Sequence, residues 1–248
     1  MQTTSFFLHI IAMVCMLFDH IWGTSILNYD VFNCIGRLAF PIFAFMIVEG
    51  YFHTKNLKKY VIRLLLFAIL SELPFNLMMG SRLFYPIHQN VLWSFLISIG
   101  LIHWNEKVRA KKLWLRILVA LTTIAIAYVG GIITFVDYYN AGILMVLTFY
   151  FFRGKKWWKY LGQLLCLWYI NCEILGGLGK DFNIFGRVIF VERQAIALLS
   201  LIPIWLYSGK QGYYNKKMQY IYYFFYPAHM LLLCMIKWLL PIIIGSLV

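Results

Sequence analysis

Charge is what this 248-residue chain has least of: charged side chains make up 12% of it, against about a quarter in soluble domains. Acids are the scarcest, nine Asp and Glu against 22 Lys and Arg. Hydrophobic residues fill 62% of the chain and the mean hydropathy is +0.77. A chain of this length cannot hide that much apolar surface in one water-soluble core. A soluble globular fold is therefore excluded, and a lipid bilayer is the expected covering.

Other absences narrow the chemistry. No Pro/Gly/Ser-rich linker, internal repeat or low-complexity block divides the chain, so residues 1–248 are expected to form one bundle. The five cysteines (Cys15, Cys34, Cys166, Cys172, Cys234) form no CxxC and read as buried free thiols. No HxxH or HExxH spacing occurs, so no metal is expected. The GGLGKD run at 176–181 lacks GxxxxGK[ST] and follows no expected strand, and no G-x-S-x-G elbow is present. The amino terminus lacks a basic n-region and a small-residue cleavage site, which reads as a retained first helix. The net charge of +13 sits in short clusters between apolar runs and not along one face, so no nucleic-acid partner is expected.

What the chain has is long apolar runs. A helix needs about 20 such residues to cross about 30 Å of hydrocarbon. The runs and their breaks predict spans near 5–24, 34–52, 59–79, 89–104, 113–133, 139–152, 157–175, 192–208 and 218–240. The fourth, sixth and eighth are short, which leaves room for a re-entrant or tilted segment. Sixteen of the 22 basic residues fall in alternate loops, around Lys55–Arg63, Lys107–Arg116, Arg153–Lys159 and Lys210–Lys217. The excess of Lys and Arg on cytoplasmic loops orients such bundles. The expectation is an all-α, multi-pass transmembrane bundle of about nine spans in the cell membrane, its amino terminus cytoplasmic and its carboxyl terminus outside. Asp19, Asp30, Glu72, Asp137, Glu173, Asp181 and Glu192 all fall toward the outer side. Acids contribute little to topogenesis, so this asymmetry needs another cause.

Ionisable groups within spans are costly and face a cavity, a partner or a substrate path. Asp19 and His20 end the first span, Arg37 opens the second, and Glu49 and His53 close it. Glu72 and Asn76 lie in the outer part of the third, and His88, Gln89 and Asn90 open the fourth. Asp137 and Tyr138 precede the sixth, Asn171 and Glu173 end the seventh, Gln194 opens the eighth, and His229 follows Pro227 inside the ninth. Most share one depth near the outer face. That pattern reads as a polar, water-accessible pocket open to the outside; the bland alternative is solvation of each residue at headgroup level. Asp19 and His20 are adjacent, so they point about 100° apart on a helix. A carboxylate from another helix, such as Glu72 or Asp137, is expected to orient His20. A histidine held in that way activates a hydroxyl or an amine.

At these residues the sequence resembles the TraX family of bacterial integral membrane proteins, named for a conjugal-transfer component linked to N-acetylation of pilin. The matching elements are IAMVCMLFDHIW (11–22), IGRLAFPIFAFMIVEGYFHTKNLKKYVIRL (35–64), LSELPFNL (70–77), HQNVLWSF (88–95), DYYNAGILMVLTFYFFR (137–153), RQAIALLSLIPIWLYSG (193–209) and FFYPAHMLLL (224–233). The family looks related to membrane acyltransferases, including sugar O-acyltransferases and heparan-glucosaminide N-acetyltransferase. The resemblance implies movement of an acyl group, usually acetyl from acetyl-CoA, to an acceptor across the membrane. In the sugar O-acyltransferases a basic residue and a histidine stand eleven apart on the first helix. Here His9 and His20 have that spacing, with His9 in place of the lysine or arginine.

The expected enzyme uses acetyl-CoA as co-substrate and an unidentified extracytoplasmic acceptor, with the basic loops available to the CoA phosphates. His20 is expected as general base or transient acyl carrier, oriented by Glu72, Asp137 or Asp19. Arg37, Asn90 or Gln194 would stabilise the oxyanion, and His88 and His229 would line the pocket. Glu49, His53 and Asn76 complete the expected substrate-binding set. Two other readings stay open: a proton-coupled transporter, disfavoured because no inverted repeat or pair of broken helices is visible, and a non-catalytic assembly component of a pilus or conjugation complex.

Overall fold

The computed structural model describes residues 3–184 and 187–245. The chain runs through α1 (Ser5–Gly23), α2 (Asp30–Gly36), α3 (Ala39–His53), α4 (Leu57–Gly80), α5 (Val91–Lys107), α6 (Leu113–Ile133), α7 (Tyr139–Phe151) and α8 (Trp157–Trp168). A π turn (Tyr169–Ile174) extends α8. An antiparallel hairpin of β1 (Gly179–Ile184) and β2 (Arg187–Glu192) follows. A 3₁₀ helix (Arg193–Ser200) leads into α9 (Leu201–Trp205), and α10 (Lys216–Gly245) closes the described chain. The fold is helical, as expected; the hairpin is an addition that the apolar runs did not signal.

Each expected apolar run falls on helix, but length separates them. Among the described residues, five stretches are long and apolar enough to cross a membrane: α1, α2–α3 together, α4, α6, and Lys216–Leu240 of α10. The 13-residue α7 is about 20 Å long, short of the hydrocarbon thickness. Nine of its residues are buried, from Asn140 to Phe149. An apolar helix with no polar face belongs inside a bundle, and α7 packs against α3, α5 and α6. Its ends need not reach lipid, because non-helical backbone is tolerated where protein buries it. The backbone at Gln89 and Val136 forms a bridge just ahead of α7. In contrast, α6 exposes Leu118, Leu121, Val129 and Ile133, the face a peripheral helix turns to lipid.

The second expected span is not one helix. Arg37 N–H still reaches the Asn33 carbonyl at 3.2 Å, but Leu38 N–H bonds only to Ile35 at 3.1 Å, a tightened last turn. Pro41 has no N–H to give the Arg37 carbonyl, and it is tolerated in the first turn of α3, where donors are unpaired anyway. The break leaves Arg37 at a joint between two helices.

Hydrogen bonds define two ends. One gathers the basic loops, with Thr3 N–H on the Leu206 carbonyl (2.9 Å), Ser5 N–H on Lys210 (3.0 Å), and Arg153 paired to Glu49. The other gathers the residues around Asp19, Asp137 and Gln194.

Candidate functional site

The first and last helices bring two histidines together at the acid-rich end. His20 Nδ1 lies 2.6 Å from His229 Nε2, and His229 Nδ1 lies 2.6 Å from the Phe225 carbonyl. A carbonyl only accepts, so His229 Nδ1 carries the proton. With both rings neutral, His229 Nε2 must then accept from His20 Nδ1–H. The tautomer chain leaves a lone pair on His20 Nε2. The partner that orients His20 is thus a second histidine, not the carboxylate the sequence led us to expect. His229, expected only to line a pocket, takes that place.

Asp19 turns elsewhere, as the 100° separation requires. Its Oδ1 accepts from Arg37 Nη2 and, at 3.0 Å, from Asn33 Nδ2. Arg37 Nη1 reaches Gln194 Oε1 at 3.2 Å, and Gln194 Nε2 donates to Asn171 Oδ1 at 2.9 Å. This chain ties α1, the α2–α3 joint, the 3₁₀ helix and the π turn. Gly36 makes it possible: a Cβ there would stand 2.3 Å from Asp19 Cβ. Gly36→Ala is therefore expected to push Asp19 off Arg37 and cost about 1–3 kcal/mol of stability. Thermal unfolding in detergent checks this; an unchanged midpoint would show that α2 shifts freely.

The other acids are also engaged. Glu72 Oε1 accepts from Trp93 Nε1 at 2.6 Å, from Asn90 N–H at 3.2 Å and from Asn90 Nδ2, joining α4 to α5. Asp137 Oδ1 is 3.1 Å from His88 Nε2 and accepts from Tyr138 N–H. Asn76 stays apart from these groups, its amide donating to the Leu83 carbonyl in the turn after α4. Glu49 and His53 lie at the opposite end, where Arg153 Nε meets Glu49 Oε1 at 2.7 Å.

From the basic end a cavity of about 430 Å³ runs between α1, α3, α4, α5 and α10 as far as Met16, Phe225 and Tyr226, short of the histidine pair. His9, Met13 and Met16 of α1 line it. These fall on the helical face that His20 continues one turn further on. His9 stacks on Tyr222 with ring centroids 4.2 Å apart. Two buried polar atoms in residues lining the cavity, Arg63 Nε and Tyr222 Oη, have no hydrogen-bond partner. A buried donor left unpaired is costly, which marks the cavity as fit for a polar guest. Arg63, Asn33 and Trp93 are contributors that the search for polar residues inside spans passed over; Arg63 was hidden among the topogenic basic residues.

Long apolar helices, polar groups bonded at one end and a cavity leading to them define a helical membrane protein with an internal site. The family described as TraX protein matches residues 5–237, and the chain belongs to that family. It is also similar to "Probable fimbrial assembly protein FimC, serogroup H1" of Dichelobacter nodosus, at 25% identity covering 94% of this chain and 96% of that protein. No solved structure matches.

Proposed function

We propose that this protein is a multi-pass membrane acyltransferase that moves acetyl from cytoplasmic acetyl-CoA to an amine or hydroxyl acceptor on the far side of the cell membrane. In this reading about nine segments cross, the short ones with their non-helical ends buried in the bundle, and the basic loops and the amino terminus lie in the cytoplasm. The observation that carries it is the His20–His229 pair, which leaves His20 Nε2 as a positioned base one turn beyond the end of a cavity. Eleven helical residues from His9 to His20 span roughly 16 Å, a distance suited to a thioester arm entering from the basic end. Arg63 and Tyr222 offer unpaired donors to its polar groups.

The acceptor hydroxyl or amine gives its proton to His20 Nε2 as its oxygen or nitrogen bonds to the thioester carbonyl carbon. The carbon–sulfur bond then breaks, and the thiolate leaves with the proton returned from His20. Arg37, Asn90 and Gln194 are the groups proposed to stabilise the oxyanion. The description of the Dichelobacter relative as a fimbrial assembly protein supports a pilin-like acceptor, and supports equally a second reading as a non-catalytic assembly component.

Thiol release from acetyl-CoA by the purified protein in nanodiscs separates the two. Slow turnover, raised by cell-envelope extract and absent in His20→Ala, is expected. Arg63→Gln should need several-fold more acetyl-CoA for half-saturation. No donor binding, and no turnover with extract present, would leave the assembly role.

A further inference from the structure

A second cavity, of about 490 Å³, opens at the basic end between the close of α5, the start of α6, the end of α7 and the start of α8. Arg109, Arg116, Arg153 and Lys159 line it. Glu106 is the acid in its wall, and it already accepts from Tyr150 Oη (2.9 Å) and Arg109 (3.1 Å). Arg153 is held by Glu49 through Nε and Nη2, its guanidinium 4.3 Å from the Phe52 ring centre. Lys159 Nζ donates to the Arg153 carbonyl, and Arg116 has no acidic partner among the described residues. Four cations thus face two carboxylates, both already bonded. An anion of one or two charges is what the arrangement lacks.

The side of the wall that α6 supplies is otherwise apolar, the face that carries Leu113, Ile117 and Ala120. Ile117 is exposed, as is Leu121 one turn further along. Trp114 and Trp157, 62% and 75% exposed, open α6 and α8 beside the cavity. Exposed tryptophans collect at headgroup depth, so the cations stand at the level of lipid phosphates. A free anion has no use for an apolar wall that continues along a lipid-facing helix. We infer that this cavity binds one anionic phospholipid of the leaflet that the basic loops face, its phosphate among Arg116, Arg109 and Lys159 and an acyl chain along Ile117 and Leu121. Basic pockets between membrane helices take such headgroups. The site lies across α3 from the donor cavity and does not depend on the acyltransfer reading.

Native mass spectrometry of the full-length protein, titrated with phosphatidylglycerol or with phosphatidylcholine of the same chains, tests it. The wild type should prefer the first phosphatidylglycerol. Arg116→Gln should weaken that binding about fivefold, while Arg116→Lys and Lys111→Gln, the latter an exposed cation outside the cavity, should retain it. Three results would each overturn the inference: no preference in the wild type, equal losses in Arg116→Gln and Lys111→Gln, or displacement of the lipid by inorganic phosphate.

Discussion

Under the proposed acyltransfer, replacing His229 by leucine is expected to lower acetyl transfer as far as replacing His20 by alanine, about 10²- to 10⁴-fold, with little change in the acetyl-CoA needed for half-saturation. The His229 ring holds its Nδ1 proton on the Phe225 carbonyl and presents Nε2 to His20. Leucine removes that acceptor, so the His20 proton is no longer held on Nδ1 and the lone pair is no longer fixed on Nε2. Glutamine supplies a side-chain oxygen at about the reach of Nε2. His229→Gln should therefore keep transfer within about tenfold of wild type, which a purely space-filling role for His229 would not produce. Equal losses in the leucine and glutamine variants would assign His229 to packing alone. Initial rates over a range of acetyl-CoA concentrations make the distinction.

The sequence placed the helices well because a bilayer imposes a length and an apolarity on each one. It did not place the break at Arg37–Leu38, because the run around Pro41 is as apolar as its neighbours and only the missing N–H marks the joint. The adjacency of Asp19 and His20 indicated that Asp19 does not readily orient His20, and the two side chains do turn to different partners. Which partner each takes was not legible: His229 lies 209 residues from His20, and helical periodicity says which face a residue occupies, never which helix faces it. The cavity was half-legible, since His9 and His20 share a face, but Arg63 carries the same signal as any topogenic cation.

The acids at one end were legible as an anomaly, but not the bonds that three of them make across segments. Asp19, Glu72 and Asp137 each end on a donor from another segment: Arg37 with Asn33, Asn90 with Trp93, and His88. They fasten helices together where α7 and the 3₁₀ helix are too short to hold the end by apolar contact. That accounts for an asymmetry that insertion did not require. It also leaves one ring nitrogen of His20 and one of His88 outside these bonds.

Arg37→Met is expected to be the most destabilising single change at this end, by roughly 3–5 kcal/mol, because it leaves Asp19 charged and unpaired. Both side chains are only 18% exposed, so water screens the loss poorly. Methionine keeps the length of the stem but gives up the donors to Asp19 and Gln194 together. Asp19→Asn alone strands the guanidinium and costs less, since Gln194 and the Asn33 carbonyl still accept from it. The double variant, Asp19→Asn with Arg37→Met, should be more stable than the sum of the single losses predicts, by about 0.5–3 kcal/mol, because neither member leaves a buried charge alone. Equilibrium unfolding in mixed micelles measures all four corners of the cycle. Strict additivity would mean that each charge is solvated on its own at headgroup level and that the joint at Arg37 is held by its apolar neighbours. A positive coupling would fix this pair as the bond between α1 and the α2–α3 break, and so as the support that holds the helix carrying His20.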